Sequence, residues 1–197
     1  MRKIDPVKHE EKRAEILEAA ERCFAREGFH GATIAQICAE ASISPGHLYH
    51  YFASKEAIVG AIVDAGVEDA ASRFAQLTEG SNTITALVSE LERLRALHRK
   101  TGAGVLLDGL AEAGRSPAIG AVLQKASRGM RELLADFLRK GQTRGQVDPE
   151  LDADMAAAVL MSVIDGCKTL LIRDPKLDAK RSAKVLETMI TRFLSPR

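Results

Sequence analysis

Thr33-Ile34-Ala35-Gln36-Ile37-Cys38-Ala39-Glu40-Ala41-Ser42-Ile43-Ser44-Pro45-Gly46-His47-Leu48-Tyr49-His50-Tyr51-Phe52 is the stretch that decides the fold. Thr33 is a residue type that caps helices, and Ile34 and Ile37 behind it share one helix face. A short helix is therefore expected from Ile34 to about Glu40. Ala41-Ser42-Ile43 is a tight connection. Ser44 caps a second short helix with Pro45 at its first position, where the missing N–H costs nothing. Leu48 and Phe52 anchor that helix and, with Ile34, Ile37 and Ile43, close one small core. Pro45, Gly46, His47, Tyr49, His50 and Tyr51 are left pointing outward. Two short helices joined by such a turn and braced by a longer one make a helix-turn-helix.

The brace lies just upstream. Ile16, Leu17, Ala20 and Phe24 recur at helical spacing across Glu10–Glu27. Gly28 ends that helix, and Phe29 packs back on its last turn. Downstream, Ser54 caps a long fourth helix ending near Leu77. Further helices are expected at about Thr83–Lys100, Gly104–Ala113, Pro117–Lys140, Asp152–Ile172 and Asp178–Leu194, with breaks at Gly, Pro and Asp clusters. Aromatic residues are only 4 % of the 197, and period-two alternation is nearly absent. The expected fold class is all-α, about nine helices in total. Residues 1–53 form a three-helix head, and residues 54–197 form a larger helical body.

With 46 % hydrophobic and 28 % charged residues the chain is an ordinary globular mixture. Its 28 Lys and Arg nearly cancel 27 Asp and Glu, so any surface for a nucleic acid must be local. Such a surface is visible. Between Gly28 and Lys55 the only acidic residue is Glu40, and four of the five histidines (His9, His30, His47, His50) lie in the N-terminal part. Acid is excluded where phosphates would approach. Arg2, Lys3 and Lys8 form a basic cluster, either a solvated tail or an arm at the minor groove.

Other function classes find little support. Cys23, Cys38 and Cys167 are too scattered for a disulfide framework or a zinc half-site, and a reducing cytoplasm fits them best. His47 and His50 are spaced for a metal but lack a third ligand nearby. There is no signal-peptide pattern, and the apolar stretch Met155–Ile164 is far short of the roughly 20 residues a membrane helix needs. A Gly-rich phosphate loop, a nucleophile elbow and a His-x-x-x-His pair are all missing. No catalytic residue, metal or cofactor is expected, and the protein is not read as an enzyme. The alternative left open is a helical interaction module, or an enzyme, with a non-functional DNA-binding head.

Thr33-Ile34-x-x-Ile37, then Ile43-Ser44-Pro45-Gly46-His47-Leu48-Tyr49-His50-Tyr51-Phe52-x-Ser54-Lys55-Glu56, resembles the N-terminal signature of the tetracycline-repressor (TetR) family of transcriptional regulators. Ile16-Leu17-x-Ala19-Ala20-x-x-x-Phe24-x-x-x-Gly28-Phe29 resembles the family's first helix. Two positions depart from the family pattern: Ser42 stands where glycine is usual, and Cys38 where alanine is usual. If Ser42 has a positive φ, serine tolerates it at a cost of about 1 kcal/mol. The resemblance implies DNA binding by Thr33, Gln36, Pro45, Gly46, His47, Tyr49, His50, Tyr51 and Lys55. Thr33 and its helix N-terminus would bind phosphate, as would the two tyrosine hydroxyls. Lys55 sits in a first helical turn, where the dipole disfavours a cation, and is assigned a phosphate partner. Pro45, Gly46 and His47 would face base edges together with Gln36.

The body carries two further expectations. The Asp152–Ile172 segment is apolar on more than one face: Met155, Val159, Val163 and Leu170 on one, Leu160, Ile164 and Leu171 on another. Paired with the last helix across a two-fold axis it would form a four-helix bundle, an arrangement the resemblance also implies. Leu160, Ile164, Leu171, Leu186, Ile190 and Phe193 are expected at that homodimer interface. Eight of the fifteen glycines fall between Gly102 and Gly145, as around a cavity that changes shape. An effector pocket is expected there, lined by Leu106, Leu110, Met130, Leu134, Phe137 and Met161, with Arg95, His98 and Asp165 as polar anchors. Between Gly80 and Ser182 the only aromatic residue is Phe137, so the ligand is expected to be small and mostly aliphatic with one polar or charged end. In sum the sequence points to a cytoplasmic, homodimeric repressor that leaves a palindromic operator when a small molecule binds.

Overall fold

The computed structural model describes residues 5–80, 82–101 and 104–196, with the backbone alone for residues 78–80, 95–101, 104–106, 168 and 171. No described residue is in a strand. The helical segments are α1 (Pro6–Gly31), α2 (Ile34–Glu40), α3 (Pro45–Tyr51), α4 (Lys55–Gly80), α5 (Thr83–Thr101), α6 (Gly104–Ala113), α7 (Pro117–Thr143), α8 (Ala153–Lys168), α9 (Leu170–Arg173) and α10 (Ala179–Leu194). The expected Asp152–Ile172 helix is interrupted at Thr169, whose hydroxyl donates to the Gly166 carbonyl at 2.8 Å. The backbone gathers into two compact units: Met1–Gly66 with Gly104–Ala126, and Val67–Ala103 with Ser127–Arg197. That division differs from the boundary expected at Ala53, because α6 and the start of α7 join the N-terminal helices.

In the first unit α1 begins earlier than expected. The Asp5 carboxylate accepts from the Val7 N–H at 3.1 Å, and Pro6 occupies the first helical position. The chain leaves helical geometry at Gly28 (φ 70°, ψ 172°), a conformation that glycine permits and a side chain would strain, before one more turn to Gly31. Ile16, Leu17, Ala20 and Cys23 of α1 meet Ile37 and Cys38 of α2, Leu48 of α3, Phe52 and Ile58 in one core. Burying an aliphatic side chain of this kind contributes about 1.5–3 kcal/mol. α6 is tied to the end of α1: the Asp108 carboxylate lies against Gly28, where any Cβ would collide with it. The buried Glu112 Oε2 lies 2.7 Å from His30 Nε2 without a hydrogen bond between them.

The second unit is built on a larger core: Ile84, Leu87 and Leu91 of α5, Leu134, Phe137 and Leu138 of α7, Leu160 of α8, and Leu186, Ile190 and Leu194 of α10, among others. Its buried Glu90 accepts from Arg73 at 2.9 Å and from Arg93 at 2.7 Å. Gln146 Oε1 accepts from the backbone and hydroxyl of Thr83, at 2.9 and 2.7 Å, and so pins the start of α5. Gly141 is a junction. Its carbonyl accepts from Gln146 at 2.9 Å and from Val147 at 3.3 Å. A Cβ on Gly141 would stand 2.6 Å from the Val147 side chain and 2.8 Å from that of Thr83.

The residues expected at a dimer interface need correcting here. Leu160, Leu186 and Ile190 are 2 %, 7 % and 0 % exposed and belong to the protomer's own core, and Ile164 packs against it. Both faces of α8 are apolar, and the one turned inward carries Leu160 and Ile164, the side chains that spacing alone assigns to a partner. The outward face holds Met155 and Val159 on α8 and Val185, Met189 and Phe193 on α10. Of the expected set only Phe193 lies there; Leu171 is outside the described side chains.

Candidate nucleic-acid interface

The local sequence builds the two recognition elements from their caps. The Thr33 hydroxyl accepts from the Gln36 N–H at 3.2 Å, and Gln36 Oε1 accepts from the Thr33 N–H and hydroxyl, both at 2.8 Å. This reciprocal box satisfies two orphan amides at the start of α2. α2 ends in a Schellman motif. Ile43 N–H donates to the Cys38 carbonyl at 2.9 Å and Ser42 N–H to that of Ala39 at 3.2 Å, with Ser42 at φ 52°. The positive φ conditionally expected at Ser42 is therefore present. Ser44 then caps α3 through the His47 N–H at 3.2 Å. Leu48 and Phe52 hold α3 to the core at 0 % and 4 % exposure.

That anchoring fixes what faces outward. Pro45, Gly46, His47, Tyr49 and His50 are exposed, Tyr49 by 54 %. Nothing lies within 4 Å of where a Cβ on Gly46 would stand, so the fold itself does not require glycine there. Tyr51 is half-buried. Its ring stacks on His9 of α1 at 4.6 Å and leans on His47 at 5.4 Å. The acid-poor character of the surface survives folding. Glu40 is bound by Arg22 at 2.8 Å and approached by Arg26 at 3.6 Å, and the Arg22 hydrogen bond holds its carboxyl below the ordinary range.

Two expected contacts change meaning. The Lys55 ammonium has partners within the fold: it donates to the carbonyls of Phe29 at 2.7 Å and Ala32 at 3.1 Å. Those are the negative end of α1, which offsets the unfavourable position at the start of α4. Gln36 and Thr33 are exposed, yet the Gln36 oxygen and the Thr33 hydroxyl are engaged with each other. Of the pair, the Gln36 amide NH₂ is the group left to meet a base. The box is legible in the sequence as Thr-x-x-Gln, and the start of α1 as Asp-Pro. The ring contact between His9 and Tyr51 had no local signal at all.

The expected effector residues divide. Leu134 and Phe137 are 4 % and 3 % exposed and belong to the buried core of the second unit, to which Phe74 also packs. Met130, Met161 and Asp165 are half-buried in the second unit, whereas Leu110 is 56 % exposed in the first. Arg95, His98 and Leu106 lie outside the described side chains, and Arg2 and Lys3 outside the described residues.

Comparison with known proteins agrees with this geometry. The family model of bacterial regulatory proteins, tetR family, matches residues 16–62. That of the BetI-type transcriptional repressor, C-terminal, matches residues 83–195. The HTH-type transcriptional regulator UidR of Escherichia coli strain K12 is 34 % identical over 155 residues, 78 % of each chain. The structure of Salmonella enterica GusR matches with a TM-score of 0.77 at 30 % identity, covering 93 % of this chain and 95 % of that one. A transcriptional regulator from Saccharomonospora viridis, solved in complex with choline, matches with a TM-score of 0.75 at 27 % identity, covering 95 % and 100 %.

Proposed function

The chain belongs to the tetR family of bacterial regulatory proteins, DNA-binding regulators that respond to ligands and are not enzymes, and we propose that it acts as a homodimeric repressor on a palindromic operator. The observation that carries this reading is the exposed face of α3. His47, Tyr49 and His50 stand clear of the core beside an open approach at Gly46, and the one acid between Gly28 and Lys55, Glu40, is held by arginines. Pro45, Gly46 and His47 meet base edges, and Tyr49 meets phosphate. The outward stripes of α8 and α10 supply the two-fold contact, so that two heads reach half-sites about 34 Å apart. No described helix is long and apolar enough to cross a membrane, and the three free cysteines suit a reducing cytoplasm.

The effector we assign is small and mostly aliphatic with one polar or charged end, held near Met130, Met161 and Asp165 of the second unit. The test is selection of DNA from a random library by the wild-type chain. The selected sites should show two-fold symmetry, and His47→Ala should relax one or two positions in each half-site, each contact being worth about 1–3 kcal/mol. Asymmetric sites, or equal loss on selected and random DNA, would overturn the assignment. In a thermal-shift screen, stabilisation only by planar aromatic cations would overturn the ligand class.

A further inference from the structure

The apolar stripe of α1 does not stop at Ile16 and Leu17. One turn further toward the N-terminus, Arg13 places its guanidinium 5.5 Å from the centre of the Phe52 ring. One turn beyond that, His9 stacks on Tyr51 with ring centres 4.6 Å apart and planes 28° from parallel. His9, Arg13 and Leu17 are spaced i, i+4, i+8, so one face of α1 runs from the core out to the edge of α3. His9 has a fixed backbone because the cap at Asp5 starts the helix early, its N–H donating to the Asp5 carbonyl at 3.0 Å. The segment matched by the family model begins only at residue 16, so His9 lies outside it.

The Tyr51 ring is held on more than one side. His9 covers it, the His50 ring meets it edge-on at 5.6 Å and 90°, and His47, one turn back along α3, leans on it at 5.4 Å. A side chain so enclosed keeps one orientation, and it limits the rotamers open to the exposed His47 resting against it. Groups that read bases lose affinity when they must be ordered on binding, and a fixed ring behind His47 removes part of that cost.

We propose that His9 is a positioning residue for sequence reading, fixing Tyr51 and through it His47, so that the first turn of α1 belongs to the recognition apparatus. This rests on the assignment of His47 to base edges. The experiment uses the full chain and DNA selected by the wild type from a random library, with random duplex as reference. His9→Ala should weaken binding to selected DNA about three- to tenfold, the size expected of one aromatic pair, while binding to random duplex stays unchanged and the melting temperature falls by no more than a few degrees. His9→Phe, which keeps the stack, should restore most of the loss. Equal effects on both DNAs, no effect on either, or a His9→Phe variant as weak as His9→Ala would overturn the proposal. A wild-type chain that selects no sequence would overturn the His47 assignment as well.

Discussion

The Lys55 ammonium rests 2.7 Å from the carbonyl oxygen of Phe29 and 4.2 Å from the centre of the same residue's ring. A single side chain at the start of α4 thus closes the end of α1 with a charged hydrogen bond and a cation–π contact. Lys55→Met should therefore lower the stability of the protein by about 1–3 kcal/mol in urea unfolding. The salt dependence of DNA binding should change little. A drop of about 1 per half-site in that slope, with stability intact, would return Lys55 to the phosphates.

Gly46→Ala separates folding from recognition. Alanine is the better helix former by up to about 1 kcal/mol, and no protein atom would meet the added methyl. The variant should melt no lower than the parent and bind selected DNA more weakly. Unchanged affinity would mean that no DNA group comes close to α3 at this point.

Adjacent residues of α8 should give opposite outcomes. Val159 is 54 % exposed and Leu160 2 %. Val159→Glu should yield a monomer with full helix content by sedimentation and circular dichroism, and weaker operator binding. Leu160→Glu should unfold the second unit, since an unpaired buried charge costs several kcal/mol. A folded monomer from Leu160→Glu would reverse the assignment of the two faces.

Glu90 supplies an acid-sensitive element. The hydrogen bond from Arg93, helped by Arg73, holds its carboxyl below the ordinary value of 4.5 against the opposing effect of burial. Stability from the ionised form is complete above that unfolded-state value and is lost as pH falls through the lowered one. Glu90→Gln should cost about 1–3 kcal/mol at pH 7, less than for a fully enclosed pair because Arg93 is partly exposed. Thermal melts from pH 7 to pH 3 should show the gap between parent and variant closing below pH 4.5. A gap independent of pH would remove the charge from the explanation.

What could be read from the sequence was local. Ser44-Pro45 and Thr33 announced the starts of α3 and α2, because a cap acts on amides two or three residues away. The core of Ile16, Leu17, Ile37, Leu48 and Phe52 followed from helical spacing. The carbonyl partners of Lys55 were not legible, because they lie 26 and 23 residues upstream, beyond any local pattern. On α8 periodicity found two apolar faces, but nothing in a single chain's spacing tells a face turned to its own core from one turned outward. For Leu134 and Phe137 spacing is silent for a related reason: a pocket wall and a filled core call for the same residue types.

Gly141 touches no residue that reads DNA, yet its carbonyl gathers the turn after α7 and its missing side chain leaves room for Val147 and Thr83. In a saturation mutagenesis screened only by reporter expression, every replacement at this position would score as a loss of repression. A map of function drawn from such a screen would mark position 141 as brightly as His47. Parallel measurement of protein abundance in the same cells would pull the two apart, the first falling with the amount of folded chain and the second not.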